Sequence, residues 1–107
     1  MDQSIDSKEW QEYLSRFGAM HKDWLVTLQE NEIVLIDHQP LRELQLQNDE
    51  LCIRAGEFTI YLKNPISIKV RKTPEGADEA LEIATDSGRT ILSIDKPTLP
   101  EMVDGIP

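Results

Sequence analysis

A change of hydrophobic period divides this chain. Trp10, Tyr13, Leu14 and Phe17 fall at i, i+3, i+4 and i+7, the apolar stripe of an amphipathic helix. From Trp24 to Ile94 the pattern becomes alternation, with turn signals at roughly 8–12 residue spacing, as in antiparallel sheets. A helix this short is marginal in water, so its stripe has to bury against the strands that follow. The expected architecture is α+β: an N-terminal helix packed on an antiparallel sheet or partly closed barrel of about six or seven strands.

The helix has a legible start. Asp6 is placed as N-cap with Glu9 three residues on, a capping-box spacing, and Ile5 and Trp10 are placed for a hydrophobic staple. Gly18 suits a left-handed helix end, with further turns able to run toward His21. Strands are expected at 24–29, 32–37, 41–47, 51–54, 58–62, 66–71, 80–85 and 89–94. Pro40 is expected to break the chain between the second and third of these. Ile66, Ile68 and Val70 should face inward. The final pair reads as a hairpin, with Gly88 at the left-handed position of its turn. Residues 63–72 carry Lys63, Lys69, Arg71 and Lys72 and no acid, whereas 75–82 carry Glu75, Asp78, Glu79 and Glu82 and no base. Antiparallel pairing would bring these opposite charges together across the outer face.

With 107 residues the chain holds one core, and we read 1–107 as a single domain. Its parts are an N-terminal helix in 1–20, a β-rich body in 23–95 and an acidic, proline-containing tail in 96–107. The longest apolar run, Ile33-Val34-Leu35-Ile36, is far short of a membrane span, and no secretory leader is visible. One cysteine, Cys52, cannot close an intramolecular disulfide, which fits a reducing compartment, with the cytoplasm as the expectation. The formal net charge is −9, and it is uneven. Residues 1–72 carry 12 acids and 9 bases, residues 73–107 eight and two. Such a surface repels phosphate backbones and anionic membranes, so neither nucleic acid nor membrane is an expected partner. A solvated surface explains the excess more economically than a docking face for a basic partner.

Sites with recognisable spacing are missing. His21 and His38 are 17 positions apart with no second His or Cys near either, and the glycines are never closer than 12 positions. A soft-metal site and a phosphate-cradling loop are therefore not expected, and no cofactor is assigned. His21 or His38 with a carboxylate such as Asp23 or Asp37 is the one candidate proton-transfer pair, against the simpler reading of both histidines as corner residues. Cys52, with Arg54 on the same strand face, reads as an inert strand residue rather than a nucleophile. Trp10, Tyr13, Trp24 and Phe58 are candidate pocket residues between helix and sheet, against the alternative that they are core. In the tail, Leu99, Pro100, Glu101, Met102 and Asp104 are candidate partner-binding residues, against the favoured reading that the tail covers the protein's own sheet edge.

The motif Trp10-x-x-Tyr13-Leu14-x-x-Phe17, the strand Trp24-Leu25-Val26-Thr27-Leu28, Asn64-Pro65 before Ile66-x-Ile68-x-Val70, and Gly76-Ala77-Asp78-Glu79-Ala80-Leu81-Glu82-Ile83 form a set. Together with Leu99-Pro100-Glu101-Met102-Val103-Asp104-Gly105, it resembles a family of small bacterial proteins, the domain-of-unknown-function family 5335. The resemblance covers nearly the whole chain and implies a bacterial, cytosolic, stand-alone domain. It brings no activity and no catalytic residues. The leading expectation is a non-enzymatic accessory or interaction domain that binds another protein or itself. The alternative is a small-ligand binding domain or minor enzyme, and an acidic nucleic-acid mimic is the weakest reading.

Overall fold

Alternation alone would give a flat sheet, but one strand of this protein is interrupted three times, and it shapes the rest. The computed structural model describes residues 2–95. Its strands are β1 (Asp2–Ser4), β2 (Leu25–Glu30), β3 (Ile33–Gln47), β4 (Glu50–Ala55), β5 (Phe58–Lys63), β6 (Ser67–Lys72), β7 (Asp78–Thr85) and β8 (Gly88–Asp95). A 3-10 turn at Ser7–Glu9 leads into the helix α1 (Trp10–Met20). All pairings are antiparallel, in the order β1-β6-β7-β8-β2-β3-β4-β5, so the sheet is open and eight-stranded rather than a barrel.

The first half of β3 pairs with β2 and the second half with β4. Against β2, Asp37 and His38 together oppose Thr27, and Leu35 is also left out of register. Against β4, Arg42 is left out. Each bulge adds bend and twist to its strand. His38 takes φ +48 at its bulge. Pro40 therefore does not break the chain as expected. It lies between two bulges, where the ladder is already irregular, and its carbonyl accepts the Gly56 N–H at 2.8 Å while Leu41 N–H bonds the Trp24 carbonyl at 2.8 Å.

Two expected strands thus merge into β3 and β1 is added, so the sheet has eight strands where about six or seven were expected. β1 was not anticipated, because three residues carry no period. It pairs with β6, with Asp2 opposite Arg71 and Ser4 opposite Lys69. The charge expectation for the next pair is realised: Lys72 Nζ lies 2.9 Å from Asp78 Oδ1, and Glu82 sits between Arg71 and Arg89 at 4.0 and 3.7 Å. Ile66 departs from expectation. It precedes β6 and is 61% exposed, whereas Ile68 and Val70 are buried.

The bend wraps the sheet over α1. Leu14 and Phe17 are buried from the helix, and the same apolar cluster takes in Val26, Leu28, Ile36, Leu41, Leu44, Leu51, Ile53, Val70, Leu81 and Leu92. Gly18 does not end the helix; it lies inside the last turn. A Cβ there would stand 3.2 Å from the Leu44 amide nitrogen and 3.3 Å from its Cβ, so the missing side chain is what lets helix and β3 approach. The helix instead stops at His21, whose N–H bonds the Phe17 carbonyl at 3.1 Å. Asp6 caps as expected, its carboxylate accepting the Lys8 N–H at 3.1 Å, but it caps the 3-10 turn. Within the core, the fully buried Thr90 hydroxyl has no hydrogen-bond partner among the described residues.

Asn31 joins two hairpin turns. Its amide donates to the Ser87 carbonyl at 3.0 Å, and its side-chain oxygen accepts the Arg89 N–H at 3.1 Å. Gly88, at φ +134, lies beneath it, and a Cβ there would collide with the Asn31 amide group. Gly76 also has positive φ, but nothing stands within 4 Å of a Cβ there. Gly88→Ala is expected to cost about 1–3 kcal/mol in urea unfolding, and more than Gly76→Ala, which meets backbone strain alone. Equal costs would show that the Asn31 clamp yields freely.

Candidate functional site

The densest group of titratable side chains forms where the helix ends. The chain turns at His21, and the His21 ring falls between Phe17 and Trp24, with centroids at 4.3 and 4.7 Å. Its Nδ1 lies 2.8 Å from the Phe17 carbonyl, so the ring donates from that nitrogen. In the neutral tautomer this leaves the Nε2 lone pair facing Asp78 Oδ2 at 3.8 Å. A turn positions Asp78: Thr73 Oγ1 accepts the Ala77 N–H at 3.1 Å, and β7 begins at the next residue. Lys72 of β6 holds the other carboxylate oxygen. Tyr13 approaches from the helix; burial, then the Asp78 charge, pushes its phenol up to about 12, with Arg16 opposing.

Asp78 is thus shared by helix and sheet. Chemically the group can hold or move a proton, but His21 is only 4% exposed. The four principal surface depressions are not lined by His21, Lys72 or Asp78. The arrangement sets the end of α1 beside the start of β7.

The carboxylates expected beside the histidines are redistributed. Asp23, at φ +71, binds Arg42 at 2.8 Å rather than His21. His38 does meet Asp37, Nδ1 to Oδ1 at 2.9 Å, and its Nε2 lies 3.5 Å from Asp95. The Asp37 hydrogen bond raises the His38 pKa; desolvation, the next effect in size, opposes it, and the charges of Asp37 and Asp95 add to the rise. That trio is exposed and sits on the bulge of β3. The His21–Asp78 contact spans 57 positions, and only the strand order brings it about.

Of the four candidate pocket rings, Trp10, Tyr13 and Trp24 pack partly buried against the one core cluster, and Phe58 lies apart from it. Trp10 donates from its indole nitrogen to the Ile5 carbonyl at 2.8 Å, completing the expected staple with a hydrogen bond. Tyr13 packs at 6.0 Å from Phe17 and lines a shallow depression of ≈ 250 Å³ with Glu9, Glu12 and Arg16. Trp24 meets His21 edge-on. Phe58 opens β5, paired with Ala55, and is 47% exposed. The Cys52 thiol is raised, first by burial and then by Glu43, with a Tyr61 hydrogen bond and Arg54 opposing. Such a thiol is a poor nucleophile. Leu99, Pro100, Glu101, Met102 and Asp104 lie outside the described residues. Among the described residues no group of three His, Cys, Asp or Glu side chains is placed to hold a metal ion. No helix among them is long and apolar enough to cross a membrane.

The second candidate is a sheet edge. Among the described residues β5 is the last strand of the sheet and pairs with β4 alone. From Phe58 to Leu62 it carries no charge, and Tyr61 is 60% exposed on the outer face. An uncharged edge of strand-forming residues is a template for another strand. Sequence reading found this strand but not its place, because periodicity does not reveal which strand ends a sheet. No protein-family model, curated protein or solved structure matches the chain.

The Tyr13 environment makes stability sensitive to alkali. Its folded pKa of about 12 exceeds the ordinary 10, so the stabilising effect is complete below pH 10 and is lost between 10 and 12. Urea midpoints measured across that window should fall more steeply for the native protein than for Tyr13→Phe. Identical slopes would place the sensitivity elsewhere.

Proposed function

We propose that this chain is a non-enzymatic protein-interaction domain that docks another polypeptide by strand addition at β5. The observation that supports this most directly is the open β5 edge, with Phe58 and Tyr61 exposed on its opposite faces. Main-chain groups on such an edge supply affinity, and alternate side chains supply specificity. Exposed aromatic rings are the residues that most often dominate binding energy at interfaces. On this reading the acidic surface keeps the domain soluble and away from nucleic acid, and the domain works in the cytoplasm with Cys52 reduced. The resemblance to the domain-of-unknown-function family 5335 agrees with a small stand-alone module and adds no activity.

The alternative is a small-ligand binding domain or minor enzyme. It draws on the cluster of Tyr13, His21, Lys72 and Asp78, but those groups are engaged with one another and with the helix end. Among the described residues no strand pairs with the outer edge of β5, and we favour that edge.

Affinity capture of the tagged protein from its native lysate should retain a stoichiometric polypeptide. Tyr61→Lys, a change on the exposed face, should cut retention at least about tenfold, the effect of about 1.4 kcal/mol at an interface. Retention unchanged by Tyr61→Lys would contradict docking at this edge.

A further inference from the structure

The β4–β5 hairpin fixes which groups the open edge presents. Its turn has two residues, Gly56 at φ +58 and Glu57, closed by the pair Ala55–Phe58. In a two-residue hairpin the closing pair exchanges hydrogen bonds, and bonded pairs then alternate along the ladder. Ile53–Ile60 and Leu51–Leu62 are therefore bonded pairs. The Asn64 N–H, which bonds the Asp49 carbonyl at 2.7 Å, continues the same phase beyond the strand. It follows that Thr59, Tyr61 and Lys63 turn their N–H and C=O groups away from β4, toward the edge, while Glu57 stands in the turn just before the strand.

This edge is complementary to itself. An antiparallel copy related by a two-fold axis through Ile60 places Thr59 opposite Tyr61 of the second molecule and Glu57 opposite Lys63. Thr59 and Tyr61 are edge-facing, so their two pairs are of the bonding kind, and Glu57 in the turn stands level with Lys63 at the end of the other strand. On the other face Phe58 meets Leu62 and Ile60 meets its own copy. Sliding the copy by two residues in either direction keeps the bonding phase but loses both Glu57–Lys63 pairs. Parallel pairing brings Lys63 beside Lys63. Among the described residues neither Glu57 nor Lys63 makes an ion pair. Lys63 already stands opposite Glu50 of β4, so the second copy would flank it with a carboxylate on each side. The opposite edge is unlike this one: β1 is three residues long.

We infer that the partner at this edge is a second copy of the same chain, joined β5 to β5 in the Ile60-centred register as a two-fold dimer with one continuous sheet. The inference rests on the reading of β5 as a docking edge and adds the partner and the register. Isologous pairing of this kind closes on itself and leaves no further β5 edge. The net charge of −9 on each copy opposes association, so backbone pairing and the Phe58–Leu62 and Ile60–Ile60 contacts have to carry it.

Charge exchange tests the register on two exposed residues, and urea midpoints check that each variant, Lys63→Glu opposite Glu50 above all, remains folded. Sedimentation equilibrium of the full chain should show a monomer–dimer equilibrium. Glu57→Lys alone sets lysine against Lys63, and Lys63→Glu alone sets glutamate against Glu57, so each should weaken self-association about tenfold. An equal mixture of the two single variants should recover native affinity, because one chain then presents two lysines to the other chain's two glutamates. The double variant Glu57→Lys/Lys63→Glu should recover it too. A dimer that ignores both substitutions uses another surface and overturns the inference. A chain that stays monomeric to about 1 mM also overturns it. In that case, capture of a different protein, lost in Tyr61→Lys, would leave the docking reading standing, whereas no loss would remove both. Slow hydrogen exchange at the Thr59 and Tyr61 amides of a monomer would put the chain's own segment on the edge and would likewise sink the second copy.

Discussion

The bend of β3 is the constraint on which the other features depend. A straight strand of 15 residues would extend about 50 Å and leave the helix covering only one part of a flat sheet. Three bulges turn that strand so that its first half serves β2 and its second half serves β4. The concave side then closes on α1, and Gly18 allows the contact to be close, backbone against backbone at Leu44. Without the bend, Leu51, Ile53 and Leu62 would share no core with Leu81, Ile83 and Leu92.

The same geometry explains how charge is distributed. At the helix end, Asp78 gathers Lys72, His21 and Tyr13, so the closure of helix on sheet is held by polar contacts as well as packing. Polar groups this enclosed are costly unless partnered: the His21 ring bonds the Phe17 carbonyl of its own helix, and Asp78 bonds Lys72 of the neighbouring strand. At the far end of the sheet the bend carries β4 and β5 away from the basic and acidic strands β6 and β7. Among the described residues no strand lies beyond β5, which is the edge our proposal assigns to a partner.

Local signals conveyed much of this. The helix stripe, the alternation of β4, β7 and β8, and the opposite charges of residues 63–72 and 75–82 were legible because each depends on neighbours within one or two elements. Pro40 misled, since its usual meaning as a strand break assumes a regular ladder, and the bulges at His38 and Arg42 remove that regularity. Gly18 suits a helix end, yet the helix takes the other course open to it and runs on to His21, and the glycine serves the approach to Leu44, a residue 26 positions away. Ile66 satisfied the alternation but lies beyond the pairing that would bury it. The His21–Asp78 contact and the edge position of β5 are products of strand order, which no short window of sequence contains. β1 is too brief to carry a pattern at all.

The account holds that the bend makes one cooperative unit of both halves of the sheet. Native-state hydrogen exchange measures this directly through the amides of Leu51 and Ile53 in β4 and of Leu81 and Ile83 in β7. The account predicts that all four open with the global unfolding free energy and shift together in Gly18→Val, which forces the helix away from Leu44. If β4 exchanges at a distinctly lower free energy than β7 in the native protein, the two halves are separate units and the bend does not unite them.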